Sequence, residues 1–345
     1  MDVLILGANG FIGSHLTDAI LERTDWRVYG MDLDSDRLTK YLPDPRFKFL
    51  EGDVSINHEW IEYHVKKCDV VLPLVAIATP SSYLKDPLAV FELDFEENLR
   101  IVKQCVRYET RVVFPSSSEV YGMCADAEFD EETSPLVYGP VAKSRWIYAC
   151  AKQLLDRVIT ALGRDRGLAY TLFRPFNWIG PRLDSIHTPK EGSSRVVTQF
   201  LGHLLRGEPI TLVDGGLQRR CFTHVDDGVD ALLRILKNEG GACDGQIFNI
   251  GHPGNDRSIR ELADTMIRIL GTFPGYEARA KGARVVVDSA GEYYGPEYQD
   301  IVHRVPSIRR AKERLGWEPA VGFEEAVRRT IAHYVETETL PDARM

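Results

Sequence analysis

Short apolar runs alternate with helical periodicity along the first half of the chain. Val3-Leu4-Ile5-Leu6, Arg27-Val28-Tyr29-Gly30-Met31, Phe47-Lys48-Phe49-Leu50, Asp69 to Ala76 and Val112-Val113-Phe114 are such runs. Each is too short for a helix of its own, and Val112-Val113-Phe114 has no polar side to show, which fits a parallel strand covered on both faces. Between them, Phe11, Ile12, Leu16, Ala19, Ile20 and Leu21 recur at helical spacing, and a long helix is expected around Pro87 to Tyr108. Another follows residue 144 and carries Leu154, Leu155, Val158, Ile159 and Leu162. Strand and helix patterns that alternate in this way predict an α/β protein with a doubly wound parallel sheet.

Past residue 180 the pattern loosens. Leu172 to Arg182 reads as a strand running into a loop, and Arg195 opens a helix from Val196 to Leu205. Thr211 to Arg220 reads as a strand and a Gly-rich turn; helix patterns follow at Asp226 to Lys237, Ile259 to Leu270 and Phe323 to Val335. These predict a smaller mixed α/β lobe. We divide the chain by convention into residues 1–180 and 181–345. Gly271 to Arg284 is expected to be a mobile loop.

Composition narrows the class. The chain has 345 residues, 44% hydrophobic and 27% charged, as is ordinary for a globular protein. A net charge of −9 argues against nucleic acid as a partner. Local arginines can still receive a small anion. Six cysteines without a CxxC pair suggest reduced thiols and a cytoplasmic protein. The nine histidines have no HxxxH or HExxH spacing, so no metal site is expected. No apolar stretch approaches a membrane span, and the run after Met1 breaks at Gly7, so no membrane association is expected.

The first strand runs into Gly7-Ala8-Asn9-Gly10-Phe11-Ile12-Gly13, with a helix after it. Glycines there allow a tight turn and let backbone N–H groups meet a pyrophosphate at a helix N-terminus. Between a strand and a helix, this spacing predicts a Rossmann nucleotide site. The second strand ends at Asp32, where an acid accepts hydrogen bonds from the adenosine ribose and repels a 2′-phosphate; NAD is therefore expected over NADP, with Arg37 nearby. Asp53 reads equally as a contact for the adenine amino group or as a cap shared with Ser55.

Chemistry concentrates at Phe114-Pro115-Ser116-Ser117-Ser118-Glu119-Val120-Tyr121-Gly122. Small polar side chains just past a parallel strand sit where open α/β sheets bind ligands. Further on, Tyr148 and Lys152 stand at i and i+4 on one helical face. A lysine there can lower the tyrosine pKa, by charge and by ordering the nicotinamide ribose, so that the phenol works as a base.

Together, GxxGxxG, Asp32, the Ser-rich strand end and YxxxK resemble the extended short-chain dehydrogenase/reductase family, over essentially the whole chain. The resemblance implies that Ser117, Tyr148 and Lys152 form the oxidoreductase triad, and that the chain crosses between the lobes more than once. It makes Gly7, Asn9, Gly10, Phe11, Ile12, Gly13, Asp32, Asp53, Val54, Ala76, Tyr148 and Lys152 the cofactor-binding set. Ala78, Tyr83, Ser117, Ser118, Asn177, Arg182, Arg195, Thr211, Gln218, Arg220 and Tyr298 become the substrate-binding set. The pattern Gly216-x-Gln218-x-Arg220-x-Phe222-x-x-Val225-x-Asp227 also resembles this family, whose arginine there usually holds the diphosphate of a nucleotide sugar.

Within the family, 4,6-dehydratases usually carry an aspartate where Ser118 stands, and plain 4-epimerases usually lack a glutamate at position 119. Apiose-forming enzymes look for a cysteine at position 118. Ser118-Glu119 resembles the UDP-glucuronate decarboxylases. The stretches Glu59 to Asp69, Phe91 to Arg100, Tyr298-Gln299-Asp300 and His303-Arg304 are similar to the decarboxylase domain of the ArnA-type bifunctional polymyxin-resistance proteins of lipopolysaccharide modification. The resemblance implies NAD-dependent oxidation of UDP-glucuronate at C4, then loss of carbon dioxide, to give UDP-4-keto-pentose or, after reduction, UDP-xylose. Tyr148 is then the base, with Ser117, Ser118, Glu119 and Arg304 serving the site. Alternatives are a 4-epimerase or dehydratase on another nucleotide sugar, and a catalytically silent NAD-binding sensor. The family also implies a homodimer through a four-helix bundle of the helices near 87–108 and 144–162. On the residues alone, Arg304 reads instead as a surface partner of Glu297 or Asp300.

Overall fold

The computed structural model describes residues 1–187 and 195–337. Its strands are β1 (Asp2–Leu6), β2 (Arg27–Asp32), β3 (Phe47–Glu51), β4 (Val70–Pro73), β5 (Arg111–Pro115), β6 (Tyr170–Pro175), β7 (Trp178–Ile179), β8 (Ile210–Val213), β9 (Arg219–Cys221), β10 (Thr223–His224), β11 (Gln246–Ile250), β12 (Asp256–Ser258) and β13 (Val285–Asp288). Seven of these form one sheet in the order β11-β6-β5-β4-β1-β2-β3. Every pairing in it is parallel. β1 and β5 are buried almost throughout, because helices cover both faces. The fold is thus the Rossmann-type doubly wound sheet that the alternating pattern predicts.

Two apolar clusters sandwich the sheet. One holds Leu16, Ile20, Leu232, Ile235, Met266 and Trp317, where α1 (Phe11–Arg23) packs on helix Val225–Lys237. The other holds Ile61, Ile101, Cys105, Leu155 and Ile159, contributed by α2 (His58–Lys67), α5 (Asn98–Tyr108) and α6 (Ile147–Arg166). β11 returns from the second half of the chain to the sheet edge beside β6. Outside the sheet lie the short pairs β10-β7, β12-β9 and β13-β8, with helices at 196–206, 259–270 and 323–337. Helix 259–270 starts with a capping box, in which Ser258 and Glu261 satisfy each other's backbone N–H groups.

Two local expectations change. The single helix expected from Pro87 to Tyr108 is three pieces: α4 (Pro87–Phe91), a π-helical turn at Glu92–Glu97, and α5; the short helix α3 (Pro80–Lys85) precedes them. Hydrophobic spacing does not register one extra residue in a turn. The stretch expected as a mobile loop, Gly271 to Arg284, holds a helix at Glu277–Lys281, which packs against helix 259–270. Glu277, Ala278 and Lys281 are exposed and no residue of this helix is fully buried, so it leaves no apolar periodicity to read. The six cysteines are unpaired, and all but Cys150 are buried.

Candidate active site

A parallel sheet sends the carboxyl ends of its strands to one edge, and the strand order reverses between β1 and β4. Ligands of open α/β sheets bind at such a switch point. Two clefts open there. The first is lined from the β1 turn by Phe11 and Ile12, from β4 by Ala76 and Ala78, from β5 by Ser117, Ser118 and Glu119, and from α6 by Tyr148 and Lys152. The second holds Gly7, Gly10, Asp32, Asp53, Val54 and Ala76.

The glycine turn is as tight as its pattern suggests. Gly7 has φ +89°, and a Cβ on Gly13 would lie 2.1 Å from the Gly7 carbonyl oxygen. Asp32 Oδ2 accepts from the Asn9 and Gly10 N–H groups at 2.8 and 3.1 Å. Arg37 donates to the Asn9 carbonyl at 3.2 Å, which ties it to the turn. Asp53 serves locally as well, accepting from the Ser55 N–H and hydroxyl at 2.8 and 2.7 Å. Asn9 and Gly13 shape the turn without lining either cleft.

Tyr148 and Lys152 face inward from α6, both buried. The Tyr148 ring stacks on Tyr83 with centroids 5.0 Å apart and planes 5° apart. Burial pushes the phenol upward, and Asp94 and Glu119 add to this; a hydrogen bond with Ser117 and the charge of Arg195 pull the other way. The expected downward pull of Lys152 is therefore not the ruling influence. Its ammonium lies 3.6 Å from Asp94 Oδ1, and both side chains are out of solvent. NAD held here would supply the hydride acceptor and a positive nicotinamide ring.

Beside this pair is a charged cluster. Glu119 Oε2 meets Arg145 at 2.6 Å and Glu119 Oε1 meets Arg304 at 2.7 Å. Arg304 also donates to Ser118 Oγ at 3.3 Å. Arg304 is only 4% exposed, so the alternative of a surface salt bridge to Glu297 or Asp300 does not hold. Burial would raise the Glu119 carboxyl, but Arg145 and Arg304 outweigh it and hold it well below the usual range. Burial pulls Arg304 down, with Arg220 and Arg145 adding to this against Glu119. Arg220 pairs with Asp300 at 2.9 Å. Three guanidiniums thus face two carboxylates, leaving one positive charge.

The remaining expected contacts divide. Tyr83, Asn177, Arg195, Thr211, Gln218, Arg220 and Tyr298 line the first cleft. Asn177 adopts φ 43°, and its buried Oδ1 has no hydrogen-bond partner. Arg182 does not line the cleft; it pairs with Asp18 of α1 at 2.6 Å and donates to His15 at 3.1 Å. A residue just past a strand end can turn toward either side, and only the fold chooses. Sequence reasoning missed Arg145, Asp94, Tyr293 and Tyr294. For Arg145 a signal existed: it stands three residues before Tyr148, on the approach to α6. For Asp94 none did, since the π turn sets its direction.

Comparison with known proteins settles the family. The description NAD dependent epimerase/dehydratase family matches residues 3–251. The chain belongs to this family. NAD is its cofactor, and it is an enzyme of that family. The crystal structure of PbgP3 protein from Burkholderia pseudomallei is 57% identical over 96% of each chain, with a TM-score of 0.88. The UDP-glucose 4-epimerase of Thermotoga maritima, solved with UDP-glucose, is 25% identical over 98% of this chain and 99% of that one, at a TM-score of 0.79. The UDP-glucose 4-epimerase of Thermus thermophilus, in complex with NAD, is 26% identical over 98% and 100%, at 0.77. No helix among the described residues is long and apolar enough to cross a membrane.

Proposed function

We propose that this protein oxidises UDP-glucuronate at C4 with NAD and then removes its carboxyl group as carbon dioxide. The observation that carries the reading is Glu119 held between Arg145 and Arg304 beside Ser118, in the cleft of Tyr148. A cluster with a surplus positive charge suits a substrate that brings its own carboxylate. A neutral hexose would leave that surplus unmatched in a buried place, at a cost.

In this reading Tyr148 takes the proton of the 4-hydroxyl while the C4 hydrogen leaves as hydride. Ser117, which lines the cleft with Tyr148, orients the phenol. The product carries a ketone at C4 and a carboxylate on C5, so it is a β-keto acid. The C5–C6 bond then breaks, its electrons pass to the C4 oxygen as an enolate, and carbon dioxide leaves. Tyr148, now protonated, and Ser117 stabilise that oxygen. A proton returns to C5. Arg304 positions the carboxylate and solvent supplies the proton, because a guanidinium remains a poor acid even when burial pulls it down. Release of UDP-4-keto-pentose leaves NADH; reduction before release gives UDP-xylose. Arg195 and Arg220 are proposed for the diphosphate, once Arg220 yields part of its bond to Asp300. A homodimer is proposed through α4, α5 and α6, where Leu88 and Leu154 stand exposed.

The second reading is 4-epimerisation, favoured by the two epimerase relatives. One incubation separates them. Mix the protein with NAD and UDP-glucuronate, follow absorbance at the NADH band, and weigh the nucleotide sugar by mass spectrometry. Loss of the carboxyl mass with lasting NADH supports the keto sugar; loss without lasting NADH supports UDP-xylose. An unchanged mass refutes decarboxylation.

A further inference from the structure

We propose that Asp94 is a positioning residue for Lys152: its buried carboxylate holds the ammonium in place and charged, and couples it to the loop that leaves β4. The proposal rests on the cofactor role of Lys152 and not on the identity of the sugar.

Asp94 Oδ1 lies 3.6 Å from Lys152 Nζ, with side chains 0% and 1% exposed. Neither atom has a hydrogen-bond partner, so each is the other's main compensation. The second oxygen, Oδ2, accepts the Ile77 N–H at 2.9 Å. Ile77 follows Ala76, which lines both clefts. One carboxylate therefore spans α6 and the loop between the two binding regions. The π turn makes this possible. Asp94 is the one residue of Glu92–Glu97 that is buried outright, and Asn98 closes the turn through the Leu93 carbonyl at 2.9 Å. Single π turns recur at functional sites.

The other groups around the pair do not replace Asp94. Asp156, one turn further along α6, already takes Arg174 at 2.9 Å and the Ser116 hydroxyl at 2.8 Å. β5 offers the Phe114 ring, 4.9 Å from Lys152 Nζ, and α6 offers the Tyr148 ring at 5.9 Å. Around Tyr148 stand Ser117, Glu119, Arg195 and Tyr83. Burial lowers Lys152, opposed by Asp94 and then Asp156. Burial raises Asp94 to about 6, opposed first by Lys152. An ammonium so enclosed is costly to keep without an anion.

The substitution Asp94→Asn retains a carbonyl oxygen for Ile77 and removes the charge. Lys152 is then lowered further, and a lysine so lowered loses its proton as pH rises. Measure NAD affinity of the full chain by calorimetry from pH 6 to 9. The variant should match the unaltered protein at pH 6 and fall progressively behind it as pH rises to 9, by at most about tenfold for each unit by which Lys152 is lowered. Adding Lys152→Met should flatten that dependence. With Tyr148 also relieved of the Asp94 charge, the NADH-forming optimum should move to lower pH. A loss equal at every pH, or no loss, overturns the proposal. Asp94→Ser is the second, smaller variant; if neither folds with NAD present, Asp94 is a core residue and the proposal fails. Calorimetry needs no sugar, so an inactive parent protein strikes only the decarboxylase reading.

Discussion

Replacing Glu119 by Gln tests the charged cluster directly. The side chain is 16% exposed and touches Arg145 and Arg304, whose side chains are 2% and 5% exposed. Removing one member of a buried pair costs about 3–5 kcal/mol, because the partner charge is left uncompensated. Gln keeps one acceptor oxygen, so the lower end, about 3 kcal/mol, is expected. On a chain of this size that lowers the melting temperature by roughly 4 °C. The assay is scanning calorimetry in low salt. The sign with pH follows from the depressed Glu119 carboxyl. Its contribution is fully present above the unfolded value near ~4.3 and is lost as pH falls through the folded value. The gap between the two proteins should therefore hold constant from pH 8 to 5 and close only in stronger acid. UDP-glucuronate should restore more stability to the variant than UDP-glucose does, since its carboxylate replaces the lost anion. A variant that melts within about 1 °C of the parent would refute a desolvated cluster. A gap that closes between pH 8 and 5 would refute the depressed carboxyl.

Three further outcomes are expected. Tyr148→Phe should slow NADH formation by about 10²–10⁴ while NAD affinity, read by calorimetry, stays within a few-fold; retained rate would remove Tyr148 as the base. Arg304→Ala should leave NADH formation partly intact and slow carbon dioxide release by about 10², seen as accumulated keto acid in rapid-quench mass spectrometry. Equal loss of both steps would count against that division. In Gly13→Ala the added carbon meets the Gly7 carbonyl at 2.1 Å. The turn must open, costing about 1–3 kcal/mol and NAD affinity with it; an unchanged dissociation constant would show that the turn yields freely.

Much of this protein is local and therefore legible along the chain. Val3 to Leu6 is a strand because four apolar residues in succession suit a ladder covered on both faces, and Gly7 to Gly10 turn sharply into α1, where only glycine at position 13 tolerates the approach to the turn. Tyr148 and Lys152 share a face because four residues complete about one helical turn. What tertiary structure decided is everything that depends on which distant segments meet. Arg304 lies 186 positions from Ser118, and Arg145 lies 26 from Glu119; on the residues alone, a surface bridge explained Arg304 as well. Arg182 went the other way, to Asp18 on the flank of α1. Asp94 reached Lys152 through an extra residue in one helical turn, which no periodicity records. Short-range backbone preference determines the elements. Burial and charge compensation between them, set by the order of the sheet, decide which side chains become a site.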